Sequence, residues 1–260
     1  MKCSEVMKFL RGLAPEETAM DWDNVGLLVG SEEKEVRTVM TALDATEDVI
    51  SQAIAAGADL LVTHHPMLFK PVKRVVWEDL YGHKIIRMIR ADLAYFAMHT
   101  NCDSCVMAEE AAGKIGLSGG VMLEESPAPG PDGEPAGIGR AGELPEEMSL
   151  RELCLRVKEA FDIDTVRLIG DPERRVRRAA ISTGSGKSMV KAAKACGAEA
   201  LISGDLDHHC VLDAADEGMA LIDAGHFGTE RFVAFTLAEK LKELGLTVVT
   251  AEEKSPYLYI

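Results

Sequence analysis

The chain has 260 residues, 47% of them hydrophobic, and its 28 Lys and Arg against 43 Asp and Glu give a formal net charge of −15. A protein this acidic is not expected to bind nucleic acid through general attraction to phosphate. No stretch approaches the roughly 18 uninterrupted apolar residues of a membrane helix and the N-terminus lacks the apolar segment of a signal peptide, so we expect a globular cytoplasmic protein without a membrane span.

A buried strand is predicted at residues 59–62, a short apolar run followed by Thr63-His64-His65-Pro66. Strands buried on both faces of a parallel sheet have this composition. In the loop after the strand, the side chains of His64 and His65 can converge, which neighbouring residues of a continuing strand cannot do. The pair is interpreted as metal ligands; the alternative is two histidines hydrogen-bonded to carbonyl groups.

A second buried strand is predicted at residues 93–98, and His99 and Asp103 follow it in one loop. Either residue can serve as a ligand, while the other orients a ligand through a hydrogen bond. The alternative is an ordinary polar turn.

The same loop contains a lone Cys-x-x-Cys, Cys102 and Cys105. A structural zinc site requires a second pair, so we interpret these residues as two buried thiols. The six cysteines are scattered along the chain, a pattern typical of reduced thiols in the cytosol.

Residues 126–137 contain four prolines and three glycines, a density that excludes regular structure. The segment is interpreted as a loop or interdomain linker. A helix is predicted over residues 149–161, with Ser149 as its cap.

An internal duplication relates residues 36–65 to residues 176–205 at an offset of 140, without a gap and with seven of thirty positions identical. Both segments are predicted to fold as strand, helix and strand, with Gly57 and Gly197 ending the helices. Although βαβ units resemble one another, the equal spacing favours true duplication. We predict an α/β protein of two domains, residues 1–122 with 222–260 carrying most of the metal ligands, and residues 123–221.

Two polar segments follow strands of the second repeat. Residues 184–188, Gly-Ser-Gly-Lys-Ser, resemble the end of a phosphate loop, but Ile181 replaces the required first glycine, so only a weaker anion site is conceivable. Residues 205–209, Asp-Leu-Asp-His-His, are a second metal site, a helix start or a group that faces the first site. The last reading is favoured, with His208 as a proton carrier.

The final segment of interest begins after a third predicted strand, residues 219–222. His226 and Glu230 are four residues apart at a helix start and share one helix face. The alternative is that Glu230 stabilises the helix N-terminus. The helix is predicted to begin near Thr229, with Val233 and Leu237 on its apolar face.

Three strands are thus predicted to deliver imidazole and carboxylate groups to the carboxyl ends of a sheet, where ligands collect in open α/β folds. This convergence predicts a paired-metal site.

These residues together resemble the GTP cyclohydrolase 1 type 2 family, also known as the NIF-three-like family. The resemblance extends to residues 21–30 (DWDNVGLLVG), 137–140 (GIGR), 203–205 (SGD) and 223–226 (DAGH), in order along nearly the whole chain. It implies two similar α/β domains with mixed sheets flanked by helices, a dinuclear metal site in the cleft between them, and a homohexamer. The implied ligands are His64, His65, Asp103, His226 and Glu230. Cys102 departs from the aliphatic residue usual in the family, and a thiol there favours softer ions.

The resemblance implies two divalent ions per chain, of the Zn, Fe, Mn, Co or Ni class. Such ions polarise a bridging water, and His99 or His208 can carry protons near neutral pH. We therefore expect a metal-dependent hydrolase that acts on a nucleotide-like or phosphorylated small molecule. The rival is a non-catalytic metal-binding scaffold or regulator, because the sequence offers no nucleophile paired with a base.

Overall fold

A computed structural model describes residues 1–258 of the chain, most of which lie in helices, strands and short turns. Before residue 103 the elements are α1 (Cys3–Leu13), a 3-10 turn (Glu16–Thr18), β1 (Gly26–Val29), β2 (Thr38–Ala42), α2 (Glu47–Ala55), β3 (Leu60–Thr63), α3 (Leu80–Arg90), β4 (Ala94–Ala97) and α4 (Thr100–Cys102). From residue 103 to 230 they are a π-helical turn (Asp103–Met107), α5 (Ala108–Ile115), β5 (Ser118–Glu125), β6 (Gly137–Ser149), α6 (Leu150–Phe161), β7 (Arg167–Ile169), β8 (Arg175–Ser185), a 3-10 turn (Lys187–Met189), α7 (Val190–Ala195), β9 (Ala200–Gly204), α8 (His208–Asp216), β10 (Ala220–Asp223) and α9 (His226–Glu230). The last elements are α10 (Phe232–Lys242) and β11 (Thr247–Thr250). No helix among residues 1–258 combines the length and apolar character needed to cross a bilayer.

The chain forms two compact units: one holds Met1–Cys102 and the chain from Arg231 onwards, the other Asp103–Glu230. These limits differ from the predicted ones, since residues 103–122 and 222–230 belong to the second unit. The reason is packing: α5 lies against β6 and β8, and α9 lies against β8 and β9. The predicted ligands in these two segments therefore belong to the second unit, not to the first.

The first unit is built on a five-stranded sheet in the order β1-β4-β3-β2-β11. Strand β1 is antiparallel to β4, and the other neighbours are parallel. The predicted buried strands are confirmed, because every residue of β3 and β4 is buried. In α10 the predicted apolar face is buried at Val233, Leu237 and Leu241.

The second unit is built on a six-stranded sheet in the order β5-β6-β8-β9-β10-β7. Strands β8, β9 and β10 are parallel to one another, and the remaining pairs are antiparallel. Strand β10, which precedes His226, therefore belongs to a different sheet from β3 and β4. The prediction that one sheet carries all three ligand-bearing strands is wrong, because each copy of the repeat forms its own sheet.

The proline- and glycine-rich segment joins two paired strands of the second unit. Glu125 in β5 lies opposite Gly137 in β6, and the Ser126 amide donates to the Ala136 carbonyl. The segment is thus a loop within one sheet and not an interdomain linker. Its composition signals irregular backbone, which a hairpin loop and a linker require equally.

The duplication is visible in the strand register. Val39 lies opposite Leu60 in the first unit, and Ala179 lies opposite Ala200 in the second, an offset of 140 for both members of the pair. Both pairs are parallel, with a helix between the strands. The predicted strand–helix–strand repeat is therefore confirmed in topology and in register.

The duplication extends to one side-chain contact, a carboxylate that binds two backbone amides near the start of the first strand in each repeat. The Asp59 carboxylate accepts hydrogen bonds from the backbone amides of residues 37 and 38 at 2.8 and 3.0 Å. The Glu199 carboxylate accepts from the amides of residues 177 and 178 at 2.7 and 3.1 Å. Each carboxylate thereby binds the backbone of the neighbouring strand near its N-terminal end.

We expect Asp59→Ala and Glu199→Ala each to lower the free energy of unfolding by about 1–3 kcal/mol, because each leaves two amides without their acceptor. Asp59→Asn and Glu199→Gln, which keep one acceptor oxygen, should lose less. Urea unfolding of the four variants measures this. A loss at only one of the two positions would show that the repeats share geometry without sharing the energetic role.

Candidate metal centre

Three histidines of the first unit lie together at the carboxyl ends of two neighbouring strands. His64 and His65 follow β3, and His99 follows β4. One ring nitrogen from each lies within 4.8 Å of those of the other two. His64 is fully buried, and the other two are half-buried. Parallel pairing of β3 and β4 therefore produces a cluster of three imidazoles, the donor type that suits zinc and other late first-row metals.

A backbone carbonyl orients the buried ring of His64. Its Nδ1 lies 2.8 Å from the carbonyl oxygen of Met98. A carbonyl only accepts, so Nδ1 carries the proton and, in the neutral ring, Nε2 is the nitrogen with a lone pair. This is the tautomer that a histidine ligand requires.

One carboxylate orients His65, and a second carboxylate holds the backbone of the first. Its Nδ1 lies 2.9 Å from Asp44 Oδ1. Glu253 in turn accepts the backbone amides of Leu43 at 2.7 Å and Asp44 at 3.0 Å, and burial raises the pKa of Glu253. The C-terminal segment thus fixes the loop that carries the partner of His65.

A third carboxylate orients His99. Its Nδ1 lies 2.8 Å from Asp23 Oδ1, and the amide and hydroxyl of Thr100 donate to Asp23 Oδ2 at 3.0 and 2.5 Å. Burial alone raises the pKa of Asp23, but the hydrogen bonds and positive charge from His99, together with Thr100, outweigh it and lower the pKa to about 2. Asp23 is therefore ionised at neutral pH.

The Asp23 contact predicts a specific acid sensitivity. Because the pKa is lower in the folded protein (about 2) than its ordinary value of 3.8, ionised Asp23 stabilises the fold above pH 4, and this contribution is lost as the pH falls from about 4 to about 2. We expect a loss of about 2 kcal/mol over this window for the wild type, and less for Asp23→Asn. Urea unfolding at a series of pH values measures the difference, and parallel curves for the two proteins would contradict the assignment.

The second unit contributes an imidazole and a carboxylate from one short helix. His226 begins α9 and Glu230 ends it, so the two side chains share a face, as their spacing predicts. His226 Nε2 lies 2.9 Å from Glu230 Oε2, and Nδ1 lies 2.7 Å from Asp205 Oδ2. Glu230 is only 4% exposed. The arrangement repeats the pattern of the first unit, an imidazole held through Nδ1 by an oxygen.

Glycines near the carboxyl ends of β8 and β9 make room for this pair. A Cβ at Gly184 would lie 2.0 Å from Glu230 Oε1, and one at Gly204 would lie 2.5 Å from the backbone nitrogen of His226. The Gly184 amide donates to Thr229 Oγ1 at 3.0 Å. Gly184 and Gly204 therefore serve close packing against the His226–Glu230 pair.

Asp103 opens the π-helical turn and is half-buried. π-helical turns occur frequently at functional sites. Cys102, the residue before it, is buried, Cys105 is half-buried, and neither forms a disulfide bond. The reading of Cys102 and Cys105 as two thiols agrees with these positions, although Cys105 is less buried than expected.

His208 belongs to none of the histidine–oxygen contacts described above. It begins α8 and is exposed, its ring centroid is 5.4 Å from that of His209, and Asp207 caps the helix by accepting the Cys210 amide. Among the described residues, no group suited to hold a metal includes His208. Of the readings for residues 205–209, the helix start is confirmed, and Asp205 acts as the oxygen partner of His226.

The sequence patterns do not predict the roles of the three carboxylates that bind histidine Nδ1 atoms, Asp23, Asp44 and Asp205. Asp23 and Asp205 lie inside two of the segments that carry the family resemblance, residues 21–30 and 203–205, and this is the sequence signal for them. Asp44 directly follows the buried segment of β2 and precedes α2, so its place at a strand end is the corresponding signal.

The chain is similar to known proteins over nearly its whole length. The sequence model of the Duf34/NIF3 (NGG1p interacting factor 3) family matches residues 1–256. A protein of Clostridium perfringens called GTP cyclohydrolase 1 type 2 homolog is 35% identical over 266 residues, covering 100% of both chains. The protein of the same name from Clostridium acetobutylicum is 36% identical over 244 residues, covering 93% of this chain and 90% of its own. Among solved structures, a Bacillus cereus protein related to NIF3 shares the fold with a TM-score of 0.91 at 23% identity, over 100% of this chain and 99% of that one.

Proposed function

Because the chain belongs to the DUF34/NIF3 family, we propose that it is a metal-dependent hydrolase that binds two divalent ions and acts on a nucleotide-like or phosphorylated small molecule. One observation carries the proposal: four histidines in two units each have Nδ1 bound to an oxygen of the same unit. Histidine ligands of metals characteristically have such a partner, because it fixes the tautomer and the ring direction. The ligands in the proposal are His64, His65, Asp103, His226 and Glu230.

The donor set fits this kind of ion. Imidazole nitrogens and carboxylate oxygens suit Zn, Fe, Mn, Co and Ni, whereas a magnesium or calcium site would consist of oxygens. His64 and Glu230 are both buried. Burying an imidazole or a carboxylate is costly unless the group has polar or charged partners, so these two positions are unusual for residues with only a packing role. When bound, the ions would supply Lewis acidity that lowers the pKa of water and polarises the substrate.

His99 is proposed as the residue that moves protons. Its Nδ1 faces the ionised Asp23 carboxylate, which stabilises the imidazolium after a proton is taken up. His208 is retained as the second candidate because it is exposed and can exchange protons with solvent. We also propose that the protein acts in the cytoplasm as a homohexamer, which light scattering of the purified protein tests.

The proposal is tested on protein purified without chelator. Metal content is measured first, and the loaded protein is then assayed against a panel of phosphorylated compounds and nucleotides. We expect two ions per chain, turnover that chelators abolish, and loss of turnover in His99→Gln with the metal content unchanged. His83→Gln is the matched control, because His83 lies in α3 and packs against Trp77.

Three outcomes contradict parts of the proposal. Loaded protein without turnover favours the metal-binding scaffold. Loss of metal in His99→Gln makes His99 a ligand and removes its proposed role. If turnover is lost in His208→Ala but kept in His99→Gln, His208 and not His99 is the proton carrier.

A further inference from the structure

We propose that the loop after His65 forms an anion-binding pocket for a phosphate-bearing compound with a planar ring. This basic loop, residues 66–79, lies wholly in the first unit. The inference deepens the proposed function, on which it rests, by naming the part of the molecule that selects the substrate.

Charge is the first observation. The net charge of the chain is −15, yet three cations, Lys70, Lys73 and Arg74, lie within five consecutive residues of this loop. The two acidic residues of the loop, Glu78 and Asp79, come at its end. All three cations are exposed. Within residues 1–258, none of them has a carboxylate within 4.0 Å. Three uncompensated cations on one short loop create a local positive field that attracts a phosphate group.

The second observation is a pocket in this loop with a volume of about 580 Å³. Small-molecule sites commonly have volumes of about 300–1,000 Å³. Met67, Phe69 and Tyr81 provide apolar and aromatic wall, and Lys73 and Arg74 provide charge. Asp79 also lines the pocket, but its carboxylate accepts the amides of residues 81 and 82 at the start of α3.

The pocket is connected to the metal-ligand loop. The Met67 amide donates to the Tyr95 hydroxyl at 2.7 Å, and the same hydroxyl donates to the His65 carbonyl at 2.9 Å. Tyr95 is fully buried in β4. A buried tyrosine thus fixes the first residues of the basic loop relative to the histidine cluster.

An aromatic platform bridges the pocket and the cluster. The ring centroids of Trp22 and Phe69 are 5.8 Å apart, and they lie 6.0 and 6.4 Å from that of His99. Trp22 is 60% exposed and Phe69 is 47% exposed. The Asn24 side chain donates to the Leu68 carbonyl, which ties the segment of Trp22 to the basic loop.

Together these features define the ligand. Lysine and arginine bind its phosphate, and the platform takes a planar ring beside His99. Stacking on an aromatic side chain tolerates any base, because each base has a π-face. The pocket is therefore expected to bind ATP and GTP with similar affinity and to bind guanosine far more weakly.

Trp22 provides the readout. The chain has two tryptophans, Trp22 and Trp77, so Trp77→Phe leaves Trp22 as the single reporter. In this background, with EDTA present so that no metal is required, we titrate ATP, GTP, guanosine and tripolyphosphate and follow the emission. The two nucleotides should quench Trp22, tripolyphosphate should compete with them, and guanosine should bind about tenfold more weakly or worse.

Two triple variants separate the pocket from general charge. The first variant combines Lys70→Gln, Lys73→Gln and Arg74→Gln. It should raise the Kd of GTP by about tenfold or more, because it removes the charged donors to phosphate. The second variant, the control, combines Lys8→Gln, Lys240→Gln and Lys254→Gln. It changes the net charge by the same amount, at exposed positions of the same unit, and should leave the Kd of GTP within about twofold of the wild-type value. Melting curves verify that both variants fold.

Equal effects of the two triple variants, guanosine binding as tightly as GTP, or no change in Trp22 emission would overturn the inference. Metal content is measured on the same protein preparations before EDTA is added. Normal metal content without nucleotide binding removes this inference and leaves the proposed function standing. Nucleotide binding in a protein that takes up no metal removes the proposed function and leaves the pocket.

Discussion

Replacing Glu230 by alanine should remove at least one metal ion from each chain. Glu230 is 4% exposed and its Oε2 lies 2.9 Å from His226 Nε2, so the carboxylate is held where an ion bound by His226 would need it. Loss of an outer partner of a ligand already costs about 10–100-fold in metal affinity, and loss of a carboxylate ligand should cost more than about hundredfold. Mass spectrometry of the metal content, on protein purified without chelator, measures the effect.

The control for this prediction is His83→Ala. The His83 ring packs against Trp77, with centroids 4.1 Å apart, and lies 3.8 Å from Glu47. It thus has a packing role in the first unit, and its loss should leave the metal content unchanged. Both ions retained in Glu230→Ala would remove Glu230 from the ligand set, whereas a similar loss in both variants would indicate general damage to the fold.

The sequence predicts the elements that present the candidate ligands, because the signals are local. The apolar runs at 59–62 and 93–98 form buried strands, and Ser149 caps the start of α6 as predicted. The offset of 140 predicts the shared register of the two sheets, because both partners of each strand pair lie inside the repeat.

What the sequence did not predict depends on contacts between distant residues. Asp23 and His99 are 76 residues apart, and no spacing rule connects them. The unit boundary after Cys102 falls next to a helical turn and not in the proline-rich segment, so composition gave no signal for it. The sequence alone does not single out the basic loop, because three cations in an exposed segment indicate a site only together with the pocket that they line.

Gly184→Ala should disturb both stability and metal binding. The φ angle of Gly184 is +64°, a left-handed conformation that costs other residues about 1–2 kcal/mol. The added Cβ would also lie 2.0 Å from Glu230 Oε1, so the carboxylate must leave its place beside His226. We therefore expect the free energy of unfolding to fall by about 2–4 kcal/mol, and the metal affinity to fall as well.

Gly218→Ala separates the two contributions. Gly218 lies in the same unit with a φ of +76°, but nothing lies within 4 Å of a Cβ built there. Its replacement should cost only the backbone strain, about 1–2 kcal/mol, and should leave the metal content unchanged. Urea unfolding and metal analysis of both variants measure the difference, which is the contribution of the clash with Glu230. Equal stability and equal metal content in the two variants would contradict this explanation. The Glu230 side chain would then have a second position available, and the close approach of Gly184 would not be what holds the carboxylate beside His226.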